Sequence, residues 1–328
     1  MGLSQDRGTL SRRQEFFYAY DIRMGNPNGD PDENRPRRLP DGTYYVTDVR
    51  LKRFVRDYLK QQGQELLVDN VEGRANTLTG RVLNYLEATK RERVTGRELV
   101  NVLLDSFIDA RLFGSSLAFK DEQGFKAEPQ PKTLTGAVQI NFGEVMHAAE
   151  EIMVSGTSVF ASTEERSQGT FTSYAALRYG LIGFNGIANE HSARASRLSD
   201  ADYAAFLTAL WKGVRSAGNT RTKVGQVPRL LINIVYRPRS EFQFGDLLNS
   251  VRLQGEAEPQ TWAGPRDYRF DLSPLQERLA RFAGHVEVVQ YCVDPTVRCS
   301  PAPAALFPRT EDLALDGPAT VSAGATGH

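Results

Sequence analysis

The order of elements in this chain predicts an α+β fold of the ferredoxin-like or RRM-like kind: strand, helix, strand, strand, helix, strand, with insertions between them. Three observations carry that prediction. An aromatic strand-like run leads through a Gly/Pro/Asn loop into a basic amphipathic helix within residues 15–60. Two further strand-like runs precede a helix that opens at Ser199 with a capping signature. An unbroken apolar strand, Arg229–Arg237, follows that helix.

The first strand is Phe16-Phe17-Tyr18-Ala19-Tyr20-Asp21-Ile22-Arg23, aromatic and β-favouring. Gly25-Asn26-Pro27-Asn28-Gly29-Asp30-Pro31 is dense in turn formers, so the chain leaves the sheet abruptly. From Thr47 to Lys60, residues Leu51, Phe54, Val55, Tyr58 and Leu59 fall at helical core spacing, which places Arg50, Lys52, Arg53, Arg56 and Lys60 mostly on the other side. Thr47 or Asp48 caps the start and Gly63 stops the helix. Residues 64–130 read as a helical insertion with helices at Leu78–Leu86 and Gly96–Ile108, followed by a loop over Asp109–Ser116. Leu134–Phe142 alternates like a strand. Residues 147–172 are charged and rich in Gly and Ser, with isolated apolar residues such as Met153 and Phe160, a pattern that predicts a projecting hairpin. Phe171–Ile187 resumes strand character, Ser199–Val214 is the capped helix, Ser273–Gly284 a further helix and Val286–Val293 a last strand. Beyond Pro295 the Pro/Ala/Thr/Gly composition predicts a largely disordered tail.

The chain's 328 residues suffice for one large domain or two smaller ones. Forty basic and forty acidic residues cancel, so the net charge carries no information about partners. Local charge does. From Arg35 to Lys60 eight basic residues face three acidic ones, and Lys212–Arg239 holds seven basic residues and no acid. A basic helix face that begins at the positive end of the helix dipole is suited to holding phosphates. Either cluster alone is also what a solvated surface looks like. Two cysteines, Cys292 and Cys299, exclude a disulfide framework, and four scattered histidines give no support to a metal site. The absence of an apolar signal core and of any membrane-length run predicts a cytoplasmic protein.

The ordered set Asn26-Pro27-Asn28-Gly29-Asp30-Pro31, Val46–Arg56, Asp109-Ala110-Arg111-Leu112-Phe113-Gly114, Gly136-Ala137-Val138-Gln139-Ile140 and Gly169-Thr170-Phe171…Tyr179-Gly180 resembles the crRNA-binding backbone subunit of type I CRISPR Cascade complexes. Within that RAMP superfamily it is most similar to the branch found in the I-B and I-C subtypes. The resemblance spans about residues 15–240. It implies an RRM-like palm in three parts (1–61, 131–146 and 173–294), helical fingers at 62–130, a thumb hairpin at 147–172 and a tail at 295–328. It implies that copies stack head to tail along the crRNA spacer, each thumb displacing a nucleotide. The implied partners are crRNA, target DNA through the guide, further copies of the chain, guide-processing, large and small Cascade subunits, and a recruited nuclease-helicase. No cofactor, metal or membrane is implied.

A subunit that binds any spacer must hold phosphates and leave base edges to Watson–Crick pairing. The residues expected to do so are Thr47, Arg50, Lys52, Arg53 and Arg56 on the basic helix, Arg111 and Phe113 in the following loop, and Arg221 and Lys223 in the acid-free stretch. Met153 and Phe160 are the expected thumb wedges that stack on or separate bases. Arg53 is alternatively a partner for Asp57, and Phe113 a core residue.

Enzymatic readings are weaker. Asp30, Asp32 and Asn34 copy the opening of an EF-hand loop, but Arg35 stands where Gly is needed and Asp41 replaces the bidentate Glu. Related backbone subunits of type III complexes cut target RNA with an Asp after the first strand, which makes Asp30 or Asp32 the residue to test for metal-dependent RNA cleavage. No P-loop, dinucleotide fingerprint or nucleophile elbow is present. A stand-alone RRM-type RNA-binding regulator would need an aromatic reading strand, which Phe16, Phe17, Tyr18 and Tyr20 loosely resemble.

Overall fold

The computed structural model of the protein describes residues 8–69, 77–91, 94–121, 133–157, 171–217 and 224–317. Strand β1 (Gln14–Gly25) is twelve residues long and lies at the centre of the main sheet. Its aromatic run does not alternate with polar residues because both faces are covered. Phe16, Tyr18, Tyr20 and Ile22 enter one core, while Phe17 and Ala19 enter a second core on the opposite face.

After β2 (Tyr45–Val46), helix α1 (Asp48–Gln61) buries Leu51, Phe54, Val55 and Leu59 in the first core. Helices α2 (Leu78–Ala88), α3 (Gly96–Ser106) and α4 (Ile108–Phe113) follow. With Leu67 and Leu117 they enclose a separate small core that includes Val82, Leu83, Leu99, Leu103 and Phe107. The segment expected as a loop at 109–116 is therefore α4 plus strand β3 (Gly114–Ser116). Phe107 adopts extended dihedrals and breaks the run between α3 and α4, and its ring anchors the insertion's core.

The strand expected over Leu134–Phe142 is likewise divided, into β4 (Thr133–Thr135), which pairs with β3, and β5 (Val138–Ile140), which pairs elsewhere. The division falls at Gly136, whose backbone lies so close to Phe113 and Gly114 that a Cβ would sit 2.3 Å from the Phe113 carbonyl carbon. Only glycine admits that approach.

Strands β6 (Gly143–Val145), β7 (Glu151–Thr157) and the eighteen-residue β8 (Phe171–Ala188) come next. β5, β6 and β7 all pair antiparallel with β8, and β1 pairs with it over Leu177–Ala188. The last β1 pair is Gly25 with Leu177, so residues 171–176 run past the end of β1 and pair with β7. Together they form a two-stranded ribbon that leaves the sheet. Residues 158–170, which join its strands, lie outside the described residues.

Helix α5 (Glu190–Ser196) leads to α6 (Asp200–Ser216), opened by a full capping box between Ser199 and Asp202. Strand β9 (Val227–Tyr236) then pairs with β1 on the side away from β8. The central order β9-β1-β8-β6 is that of a split βαβ unit, with α1 and α6 packed against each other in the first core.

On the other face, β10 (Arg252–Gln254), β11 (Arg269–Asp271) and α7 (Ser273–Arg281) cover the second core. β12 (Val286–Val293) extends the sheet beyond β9. Composition predicts disorder from 295 onward, yet residues up to 317 are ordered. β13 (Cys299–Ser300) pairs with β11, β14 (Thr310–Asp312) runs parallel to β12, and Trp211 Nε1 donates to Asp316 at 2.9 Å. Composition missed this because the segment is held by edge pairing and side-chain anchors rather than by periodic apolar residues. Residues 318–328 lie outside the described residues.

Candidate nucleic-acid interface

The loop after β1 is folded by its own amide and carboxylate side chains. Asn26 Oδ1 accepts from Asn28 N at 3.1 Å, and Asn26 Nδ2 donates to Asn34 O at 2.7 Å. Asp30 accepts from the backbone amides of Asp32, Glu33 and Arg35 at 2.9, 2.7 and 2.9 Å. Those amides, that of Glu33 above all, hold its carboxyl below the usual range. Asp30 is thus a turn lock, with both oxygens in use.

Asn28 ties this loop to the start of α1. Its Oδ1 accepts from both the amide and the hydroxyl of Thr47 at 2.9 Å, and the Thr47 hydroxyl accepts from Arg50 N at 3.4 Å. The Thr47 hydroxyl, expected to face phosphate, is in use as a cap and a loop anchor.

The basic residues of α1 divide by burial. Lys52 Nζ meets Asp48 at 2.8 Å and sits 5.4 Å from the Phe113 ring centre. Arg53 meets Asp57 at 2.7 Å. Both are i,i+4 helix pairs; the half-exposed Arg53–Asp57 pair is worth about 0.2–0.5 kcal/mol, so a phosphate can displace that carboxylate at small cost, whereas the Lys52–Asp48 pair is largely covered. Arg50 lies over the Phe54 ring at 4.3 Å; its Nε is buried without a partner, and burial lowers its pKa.

Two residues assigned to the exposed basic surface are elsewhere. Arg56 is buried, with Nε 2.8 Å from Asp109 Oδ2, while Asp109 also accepts from the amides of Leu67 and Val68. It is α1's tie to the helical insertion. Arg111 is buried as well. Its Nε and NH2 grip Asp202 at 2.9 and 2.7 Å, and its NH1 donates to Leu104 O at 2.8 Å. Helical spacing alone could not reveal this, since the acceptors lie 53 and 91 residues away. Phe113 is half-buried between Lys52 and Arg56 and meets Phe206 edge-on.

Met153 is 60 % exposed on the β7 ribbon. Phe160, Arg221 and Lys223 fall outside the described residues. The aromatic run of β1 cannot serve as an RRM-type stacking face, because Phe16, Phe17, Tyr18 and Tyr20 are all fully buried. Among the described residues no group of three or more His, Cys, Asp or Glu is placed to hold a metal, and no helix is long and apolar enough to cross a membrane.

A cleft of about 380 Å³ that no sequence motif marks lies between the loop, β2 and the base of β7, lined by Asp30, Arg35, Arg37, Arg38, Tyr45 and Glu151. Its acids are already satisfied. Glu151 takes Arg35 at 2.6 Å and the Tyr44 hydroxyl at 3.1 Å, and Asp30 takes its three amides. Arg37 and Arg38 contact carbonyl oxygens of Gly29 and Gly42, and Arg38 also the Tyr44 ring. The run Arg35–Arg38 was visible as charge, but only the loop's fold turns it toward β7.

The family model described as CRISPR-associated protein Cas7 matches residues 12–273. A protein from Haloferax volcanii described as CRISPR-associated protein Cas7 is 32% identical over 303 residues, covering 87% of this chain and 88% of that one. The fold is similar to a chain of a CRISPR RNA-guided surveillance complex, with TM-score 0.54, 16% identity, and coverage of 91% of this chain and 94% of the other. A chain of such a complex in a pre-nicking state gives TM-score 0.56 at 15% identity, covering 92% and 96%. The family model and the Haloferax relative each extend over most of the chain, and on that ground it belongs to the Cas7 family of CRISPR-associated proteins.

Proposed function

We propose that the chain is a non-catalytic, guide-RNA-binding backbone subunit of a CRISPR interference complex. It polymerises along the crRNA spacer and presents it for pairing with target DNA. Its partners are crRNA, target DNA through the guide, further copies of itself, the guide-processing, large and small subunits of a cytoplasmic Cascade assembly, and a recruited nuclease-helicase. The observation that carries this reading is the cationic surface shared by the loop and α1, where Arg53 has only a half-exposed helix pair and Arg37 and Arg38 only neutral carbonyl partners, with Lys52 partly covered beside them. Such a surface binds a phosphate backbone without reading sequence. The separate core of the helical insertion supports its role as fingers, and the β7–β8 ribbon with exposed Met153 supports a thumb.

Co-expression with a CRISPR array tests the reading. A large particle carrying RNA of uniform length is the expected product, whereas a small protein with mixed RNAs would sink the proposal. Replacing Lys52 and Arg53 by Ala should weaken binding for every spacer, and the dependence of log K on log salt should flatten by about 0.7 per lost contact. An unchanged slope removes both residues from the RNA surface. Arg56→Ala, by contrast, should lower stability, because it strands Asp109.

The occupied Asp30 carboxylate favours the non-catalytic form. With magnesium or manganese present, the particle should leave complementary RNA intact. Metal-dependent cleavage that vanishes in Asp30→Ala or Asp32→Ala would establish the type III-like alternative instead.

A further inference from the structure

Tyr45 and Phe142 form a stacked pair, with ring centres 5.9 Å apart and planes 10° from parallel. Their positions follow from the register of β2 and β6. Tyr45 faces Glu144 and Val46 faces Gly143, so Phe142 stands opposite Thr47, the cap of α1, and diagonal to Tyr45. Diagonal cross-strand aromatics lie within reach of one another. Phe142 is nevertheless 54 % exposed.

Its backbone has little freedom. Asn141 N donates to Asn185 O at 3.0 Å on one side. On the other, Gly143 lies flat against Phe184, where a Cβ would stand 2.4 Å from the ring. A large ring held rigidly with a face toward solvent is a preorganised surface for another flat group.

Tyr45 also lines the cleft of Arg35, Arg37 and Arg38, so aromatic surface and cationic surface meet at one residue. Arg35 neutralises Glu151, and Arg37 and Arg38 together outweigh the one remaining carboxylate, Asp30, so the cleft is cationic by about one charge. We propose that this place seats one nucleotide of a single-stranded RNA, its phosphate at Arg37 and Arg38 and its base against the open face of Phe142. The proposal rests on the RNA-binding reading above and adds a base-stacking contact to it. Stacking is sequence-tolerant because every base has a π-face, so it suits a protein that must accept any strand.

The test uses the full chain and single-stranded RNA oligomers carrying 2-aminopurine at successive positions. In the wild type, fluorescence at one position per bound copy should be quenched by stacking. Phe142→Ala should relieve that quench and weaken binding roughly 5- to 150-fold, with the salt slope unchanged. Phe142→Trp should restore both. Arg37→Ala with Arg38→Ala should instead flatten the slope by about 0.7 per contact. Since Phe142 is more than half exposed, the Ala variant should stay folded and lose at most a few degrees of melting temperature with the Tyr45 stack.

Unchanged affinity and quench in Phe142→Ala overturn the nucleotide seat while leaving the RNA-binding reading intact. Unchanged RNA affinity together with lost self-association shows a contact between copies, and also overturns it. A folded wild type that binds no RNA overturns both.

Discussion

Arg111→Met should cost the fold about 3–5 kcal/mol, the largest loss expected from any single change at the candidate site. Arg111 grips Asp202 with two nitrogens and spends a third on Leu104 O, all away from water. Met conserves much of the volume but leaves the Asp202 carboxylate buried, with only the Ser199 capping contacts. The damage should reach beyond the pair, since Asp202 belongs to α6 and Arg111 to α4. Loss of the tie frees the insertion from the helix that packs on the sheet.

The pH dependence distinguishes this from a packing defect. Burial pushes the Asp202 carboxyl up, but Arg111 and the Ser199 contacts outweigh it and hold the pKa below the usual range. A depressed folded value means stability that is present above the unfolded Asp value, about 3.9, and lost as pH falls through the folded one. The wild type should therefore keep this contribution at pH 5–7 and lose it below about pH 4. In Arg111→Met the unpaired buried carboxyl is pushed up instead, so the deficit relative to wild type should shrink as pH drops from 7 toward 4. Denaturant midpoints across that range decide the matter. A constant offset would mean that Arg111 acts through packing alone.

Removing the outer ribbon should abolish long assemblies on guide RNA while the remainder stays folded. Met153 and Ala175 face one another in the β7–β8 register, so replacing residues 154–174 by Asn-Gly closes the strands with a two-residue turn. The cut spares Leu177, which is fully buried in the first core, and Glu151, which holds Arg35 and Tyr44. The surviving protein should unfold near the wild-type midpoint and bind short RNA through Lys52 and Arg53. Sedimentation on long guide RNA should show isolated copies in place of extended particles. Outright unfolding would mean that the ribbon is core, and normal assembly would mean that it is ornamental.

The sequence by itself determined the sheet's central strands and the two helices that pack on it. Their signals are local: an aromatic run in β1, Thr47 and Ser199 as caps, apolar residues at helical spacing in α1, and the apolar run of β9. Capping and periodicity act over a turn or two of chain, so residues alone suffice. The ordered motifs likewise carry the family resemblance by themselves.

Tertiary structure alone decided which cations are available. Arg53 and Arg56 are three residues apart on one helix, yet one meets a half-exposed Asp57 and the other a buried Asp109 from a different helix. The same holds for the loop. In sequence Asp30 fits a turn former among Gly and Pro better than a catalyst, and three amides converging on it give that turn its form in space. Phe142 reads as the end of a strand, and only the β2–β6 register stacks it on Tyr45 beside the arginine cleft. A charge or ring is defined by what lies within a few ångströms of it. For Arg56 and Phe142 those neighbours come from distant parts of the chain, and for Asp30 they come from two to five residues away but converge only once the loop has folded.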